Sequence, residues 1–322
     1  MHKFSICFVN KIHPIGGSGT FLQYFKKYLI KKGHTLLNIN RKEKKDYIFI
    51  TGSNIRNIIL IFHNILSGSK IITRVDGKNW IHKYKPTSIK RYILSILQNL
   101  NVFFFQIISN KIIYQSNFIQ KDWGQNIFKK KSVVIYNGSS FNFKRRIFKK
   151  TIQPILISVE GSIDSAFQSE KIINYIGMNY RYEIYGKVSS RLKKKFVRYK
   201  NITFHGQVPR SKVKKILSKK RKFIFISLEM FAPCPNSVIE ALNHGIPVIG
   251  YDQGSMREIV RSNQGSLIKV SEDFNFDKSK LLNKINHISK NYTKYNYNLK
   301  NIDNKFKLNY MLKSYEAEIH KT

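Results

Sequence analysis

Acid is scarce in this chain: 18 Asp and Glu stand against 58 Lys and Arg in 322 residues, a formal net charge of +40 at pH 7. Cysteine is scarcer still. Two residues, Cys7 and Cys234, supply no disulfide or metal framework, and a reducing cytoplasm suits them. No Walker loop, H-E-x-x-H, paired C-x-x-C or serine-nucleophile elbow occurs, so the chemistries those motifs carry have no carrier here. Internal repeats are absent too. The first nine residues run straight into an apolar β-pattern and lack the layout of a signal peptide. Residues 92–110 form a 19-residue window without charge, yet Ser95, Gln98, Asn99, Asn101 and Gln106 interrupt it. An inserted span tolerates such side chains poorly, so a largely buried helix, or one lying on the N-terminal domain, is expected.

What is present suffices for two cores. A hydrophobic fraction of 42% and an aromatic fraction of 13% over this length point to two domains rather than disorder. The positive charge has three readings: nucleic-acid binding, attachment to anionic lipid, and compositional drift toward Lys, Asn and Ile. No nucleic-acid module is present by pattern, so nucleic acid is set aside as a partner. An anionic membrane surface stays open, because a basic surface attracts anionic lipid by about 1 kcal/mol per well-placed cation.

Along the chain, short apolar runs alternate with helical spacing, the pattern of parallel sheets. Residues 4–9, 47–51 and 70–75 read as strands. A glycine loop with Gly16 and Gly17 follows the first, and Phe21, Leu22, Phe25 and Leu29 then repeat at helical spacing. The strand 70–75 ends at Asp76-Gly77, which on its own is a turn-forming pair. Residues 141–151 read as a basic linker and 155–159 as the first strand of a second domain. Residues 292–301 read as polar and turn-rich, and 303–319 as a closing helix. Residues 227–260, SLEMFAPCPNSVIEALNHGIPVIGYDQGSMREIV, hold the densest signal. Pro233 and Pro235 break regularity after the strand 223–227. Ser237-Val-Ile-Glu240 has the form of a capping box opening a helix, and Gly245 stands where a left-handed C-cap is wanted. A strand and the Gly254-Ser255 turn follow.

This last stretch resembles the donor-binding signature of the GT-B, retaining, family-4-like glycosyltransferases of polysaccharide assembly, with its E-A-x-x-G-x-P-V segment, glycine turn and acidic residue. The resemblance implies an α/β fold, GT-B, in which two Rossmann-like domains face one another across a cleft. The expected divisions are 1–150, an acceptor-side domain; 151–300, a nucleotide-sugar-binding domain; and 301–322, a helix returning to the first. It implies that Glu240 accepts hydrogen bonds from the donor ribose, the alternative being a helix cap through Ser237. Asn236 and Ser237 line the same helix start, and the amides of Gly254, Ser255 and Met256 face the diphosphate. Gly16 and Gly17 match a Gly-Gly loop that faces the donor, and Gly33-His34 matches the K-x-G-H element after the first helix. Residues 202–209 match a V-x-F-x-G-x-V segment whose backbone, at Val208, lies against the base. His205 in that segment reads as structural.

Two departures stand out. The family places an acidic residue eight positions before the helix glutamate, which is Ala232 here, while Glu229 lies eleven positions ahead of Glu240. Either a longer loop lets Glu229 serve the sugar, or Ala232 holds the place and the carboxylate is missing. The loop 160–164 lacks the Arg that many relatives place on the diphosphate, which leaves Lys171, Lys187 or Arg257 for that charge. Relatives keep a histidine near the Asp76 strand end; here Asp76 stands in the matching place, with His82 six residues on.

The resulting expectation is a cytoplasmic glycosyltransferase, peripheral at the inner membrane face. It takes a nucleotide-sugar as co-substrate and a glycan or lipid-linked acceptor, with retention and with no metal or further cofactor. Glu229 and Asp76 are its candidate catalytic carboxylates. A nucleotide-sugar epimerase on the same fold and a non-catalytic GT-B partner are the alternatives.

Overall fold

Each apolar run becomes a parallel strand in the computed structural model, which describes residues 2–10, 17–40, 43–52, 57–79, 88–124, 127–163, 169–271 and 275–322. The chain divides into two units, Met1–Asn137 with Leu308–Thr322, and Gly138–Lys307.

In the first unit β1 (Ser5–Phe8), α1 (Gly17–Lys31), β2 (Thr35–Leu37), β3 (Tyr47–Thr51), α2 (Ile58–Leu66) and β4 (Lys70–Val75) come first. Then follow α3 (Ile89–Ile108), β5 (Lys111–Tyr114), α4 (Asn117–Asp122) and β6 (Ser132–Val134). The strands form one sheet in the order β2-β1-β3-β4-β5-β6, with every pair parallel. Because side chains alternate along a strand, β3 splits its apolar residues between two cores. Phe49 meets Phe21, Phe25 and Leu29 of α1, whereas Ile48 and Ile50 meet Ile61 of α2 and Phe105 of α3.

The second unit contains β7 (Ile155–Ser162), α5 (Ser169–Gly177), β8 (Tyr182–Lys187), α6 (Ser190–Phe196), β9 (Ile202–Gly206) and α7 (Arg210–Ser218). Next come β10 (Phe223–Ile226), α8 (Asn236–Asn243), β11 (Val248–Tyr251), α9 (Met256–Ile259), β12 (Gly265–Ile268), α10 (Lys278–Lys290) and α11 (Tyr292–Asn298). The strand order is β12-β11-β10-β7-β8-β9, again parallel throughout. The chain leaves the sheet's middle at β7, builds one side, and returns to build the other from β10. The two strands are neighbours, so their carboxyl ends form the topological switch point, where such sheets hold ligands. The closing helix α12 (Leu308–His320) belongs to the first unit, where Leu312, Tyr315 and Ile319 pack with Phe21, Phe25 and Phe49.

Two expectations change. Residues 292–301 are a helix and a 3-10 turn rather than turn-rich. Asn296 explains it: buried, it accepts from the Arg146 amide at 2.8 Å and donates to the carbonyls of Lys144 and Gly245 at 3.0 and 2.7 Å. Residues 141–151 are no solvated linker, since Arg146 is 1% exposed. Its guanidinium donates to the carbonyls of Leu217, Lys219 (2.6 Å) and Arg221 (2.9 Å), where a cation meets the negative end of α7. The window 92–110 is a helix through Ile108, and of its two expected forms it is the one lying on the first unit rather than the largely buried one. Ser95, Asn101 and Gln106 are buried, while Ile93, Leu97 and Leu100 stand exposed. The inward polar groups are satisfied locally: Ser95 donates to the Tyr92 carbonyl and Gln106 accepts from the Tyr114 hydroxyl, each at 2.7 Å. Among the described residues no helix is long and apolar enough to cross a membrane.

Candidate functional site

At the switch point of the second unit two acids meet. Glu160 lies near the end of β7, and Glu229 follows the end of β10. The Leu228 amide donates to Glu160 Oε1 at 3.3 Å, tying one strand end to the other. Glu160 is buried, and burial, then the charge of Glu229, pushes its carboxyl well above the usual range. Burial also raises half-buried Glu229. Two neighbouring carboxyls, both raised by burial, resist ionising together. The sequence reading passed over Glu160. Its one visible signal was an acidic residue closing an otherwise apolar strand.

The loop after Glu229 is clamped to the Gly254 turn. Phe231 has φ 53°, the one positive φ outside glycine among the described residues. Both the amide and the hydroxyl of Ser255 donate to the Ala232 carbonyl, at 3.1 and 2.9 Å. Gly254 has φ +61°, and a Cβ there would come 2.8 Å from the backbone of Phe231 and Ala232. Only glycine permits so close a joint. Thus the two expected donor segments, the loop through Ala232 and the Gly254–Ser255–Met256 turn, are held against one another. The methyl of Ala232 is buried at the joint.

Glu240 sits mid-helix on α8. The expected capping box is absent: Pro235 is the N-cap, no side chain caps the helix, and Ser237 lies inside the first turn. An extended proline ahead of Asn236 starts the helix one turn before Glu240, so the carboxylate is free to face elsewhere. It forms an ion pair with Arg210, the first residue of α7. Glu240 is 5% exposed, and burial outweighs Arg210 to push its carboxyl up to about 7. Arg210 was missed by sequence reasoning. Because it stands two residues beyond half-buried Val208, its pairing joins the end of that segment to α8. Asn236 and Ser237 are half-buried beside it, and Gly245, φ +77°, ends the helix in the expected left-handed turn. His205 stacks on Tyr185 at 4.3 Å and 6°, a packing role, and burial lowers its pKa below the ordinary value.

The candidate cations lie apart from that joint in their pairings. Lys171 on α5 is exposed and donates to Asn275 at 2.8 Å. Arg257 is held by Asp252 through two bonds, at 2.5 and 3.0 Å. Lys187 ends β8, exposed.

In the first unit Gly17 begins α1, exposed; Gly16 and His82 lie outside the described residues. Asp76 is no simple turn residue. Its carboxylate accepts from Arg74 at 3.1 Å and from Gln115, and its carbonyl accepts from the Trp123 indole at 3.0 Å. One group among the described residues has a metal-like composition: His34, Glu316 and His320, with ligand atoms within 4.8 Å of one another. His34 Nδ1 accepts from the Phe4 amide at 3.3 Å, so its proton is on Nε2, facing Glu316 at 3.0 Å. The Tyr28 hydroxyl takes the other Glu316 oxygen at 2.5 Å. With no lone pair left on Nε2, the group fits a lock between the Gly33-His34 turn and α12 better than it fits a metal.

Residues 165–304 match the family model described as glycosyl transferases group 1. Comparison with curated protein sequences gives no match. Among solved structures, sucrose-phosphate synthase from Thermosynechococcus elongatus is similar at TM-score 0.76 and 12% identity, over 99% of each chain. Anabaena Alr3699/HepE, solved with UDP and glucose, gives TM-score 0.71 and 12% identity over 99% of this chain and 100% of that one. WaaG, a glycosyltransferase involved in lipopolysaccharide biosynthesis, gives 0.69 and 11% over 99% and 100%. The fold is therefore the two-domain α/β fold of the GT-B class. The family match lies within its second unit, over residues 165–304.

Proposed function

We propose that this protein is a glycosyltransferase, moving a sugar from a nucleotide-sugar to a glycan or lipid-linked acceptor at the inner face of a membrane, with retention and without a structural metal. One observation carries the reading: the Gly254–Ser255 turn locks onto Ala232 beside the Glu160–Glu229 pair, at a switch point. Glu240 accepts from the ribose hydroxyls, with Arg210 orienting it. Val208, Asn236 and Ser237 border the nucleoside, and the amides of Gly254, Ser255 and Met256 turn toward the diphosphate, with Lys171 as its candidate cation. In the transfer the bond from anomeric carbon to phosphate oxygen breaks and its electron pair leaves with the diphosphate. The acceptor hydroxyl forms the new bond and gives its proton to the departing diphosphate oxygen. Positive charge grows at the carbon meanwhile, and ionised Glu229 opposes it while Glu160 keeps the proton. Two similar structures support the substrate classes: HepE, solved with UDP and glucose, and WaaG, a glycosyltransferase involved in lipopolysaccharide biosynthesis.

The test is a thermal-shift panel of nucleotide-sugars, followed by incubation with the best donor alone. The expected result is one donor that raises Tm and is slowly hydrolysed to free sugar and nucleoside diphosphate. An isomeric nucleotide-sugar as product would make the protein an epimerase. No shift with any donor would make it a non-catalytic partner.

A further inference from the structure

Helix α3 buries polar side chains beside Val102 and Phe105 and leaves much of its apolar surface outward. Its inward side holds Ser95 at 1%, Gln106 at 0% and Asn101 at 9% exposure, whereas Ile93, Leu97, Leu100 and Ile107 are 49%, 54%, 58% and 53% exposed. These outward residues recur at intervals of three, four and seven, so they make one stripe along the helix. Helix α2 continues it, with Ile59 81% and Leu66 88% exposed. The two helices touch through Phe62 and Phe104, whose rings are 6.2 Å apart, and both bury their inner sides in the same core of the first unit. A contiguous apolar face of this kind, on a chain whose other exposed surface is rich in lysine, marks a contact site.

Charge selects the occupant. Lys90 and Arg91 stand exposed in the first turn of α3, and Lys131 closes its far end by donating to the carbonyls of Ile107 and Ser109 at 2.7 and 2.9 Å. A second copy would bring another +40 of like charge. A nucleic acid would meet the cations and find nothing for the apolar stripe. An anionic bilayer offers both an acyl boundary and phosphate headgroups.

We propose that the outer face of α2 and α3 docks on an anionic phospholipid bilayer, with the stripe at the acyl boundary and Lys90, Arg91 and Lys131 among the headgroup phosphates. This deepens the reading of a lipid-linked acceptor and rests on it for its purpose, while the contact itself is measured separately. The experiment is flotation of the full chain with phosphatidylcholine vesicles, with and without phosphatidylglycerol. The wild type should float with the phosphatidylglycerol vesicles and keep part of its binding in high salt, because apolar insertion is not screened. The triple variant Ile93→Gln, Leu97→Gln, Leu100→Gln should bind at least about tenfold more weakly, with unchanged Tm and unchanged donor hydrolysis. The α2 pair Ile59→Gln, Leu66→Gln gives the same reading should the triple variant misfold. Wild-type affinity in both variants overturns the proposal. So does a wild-type dimer that these variants dissociate, which would assign the face to a second copy. Loss of donor hydrolysis in every form would overturn the transferase reading and leave the vesicle result standing.

Discussion

The two sheets treat charge at their carboxyl ends in opposite ways. In the first unit Arg74, at the end of β4, is fully buried and engaged through all three nitrogens. Its Nε donates to the Tyr315 hydroxyl at 3.1 Å, Nη1 to Asp76 at 3.1 Å, and Nη2 to Gln115 and Asn137 at 2.7 and 2.9 Å. The Phe21 ring lies 4.4 Å from its guanidinium carbon. This charge is consumed in holding β4, β5, α1 and α12 together. In the second unit Glu160, Glu229 and Glu240 are each pushed upward by burial, and the cations near them are few. Carboxyls held at a cost to stability are what a ligand site requires, whereas a saturated guanidinium is what a scaffold requires.

Removing the scaffold's cation should give the largest loss of stability. Arg74→Ala removes the donor that Tyr315, Gln115 and Asn137 share inside the core and leaves Asp76 without its cation, and roughly 3 kcal/mol of unfolding free energy should go, the low end for a buried ion pair. Asp76 keeps it at that end, because its side chain is 40% exposed and water can take over its hydration. The urea midpoint measures this, and an unmoved midpoint would dissolve the contrast between the two strand ends. Glu229→Gln should do the reverse: leave the midpoint nearly in place and lower kcat for donor hydrolysis by about 100-fold, with affinity changed less than about threefold. A silent Glu229→Gln would return the role to position 232, and Ala232→Glu should then raise activity.

Glu240 tests both sides of the comparison together. Its folded value of about 7 lies above its ordinary 4.5, so the folded chain holds this proton more tightly than the unfolded one. Its contribution to stability is complete below pH 4.5 and is lost as pH rises through 7, on the order of 3 kcal/mol. Glu240→Gln should therefore flatten the fall in Tm between those pH values. The ionised form is the better acceptor for ribose, so wild-type donor affinity should climb from pH 6 to pH 8. In Glu240→Gln it should be flat and lower by about tenfold, the worth of a charge-assisted hydrogen bond. Calorimetry at the two pH values reads it, and equal affinities in wild type and variant would reduce Glu240 to a buried partner of Arg210.

The fold was legible because its signals are local. Apolar runs, the Gly245 C-cap and the helical spacing of Phe21, Leu22, Phe25 and Leu29 each act within a few residues, and most of the strands read from them appear within a residue or two of where they were expected, β7 running three residues further. Long-range pairings were the part that stayed hidden. Arg210 is 30 residues from Glu240, and Glu160 is 68 from the Leu228 amide it accepts. Asn296 turns a polar segment into a helix by bonding the backbone near residue 145, a partner no window around 296 contains. The Ser237-x-x-Glu240 pattern misled for a related reason. Pro235 can start the helix without a side-chain cap, so the box had nothing left to satisfy. Composition left both forms of helix α3 open, since uncharged residues do not reveal which of them face inward.

The smallest expected effect bears on which cation, if either, meets the diphosphate. Arg257 is 69% exposed in its pair with Asp252, and Lys171 is exposed beside Asn275. Exposed pairs of this kind contribute about 0.2–1 kcal/mol, so Arg257→Ala and Lys171→Ala should each move the urea midpoint barely at all. Donor affinity separates them. A cation that reaches the diphosphate when donor binds should lose about fivefold on removal, and the salt dependence of binding should weaken with it, because screening acts on that contact. Arg257 must first leave Asp252 to do so, whereas Lys171 gives up only a neutral acceptor. The larger loss is therefore expected for Lys171→Ala. If both variants bind donor as the wild type does, backbone amides of the Gly254 turn neutralise the diphosphate without either side chain, and the second unit's strand ends would be poorer in cations than even this comparison supposes.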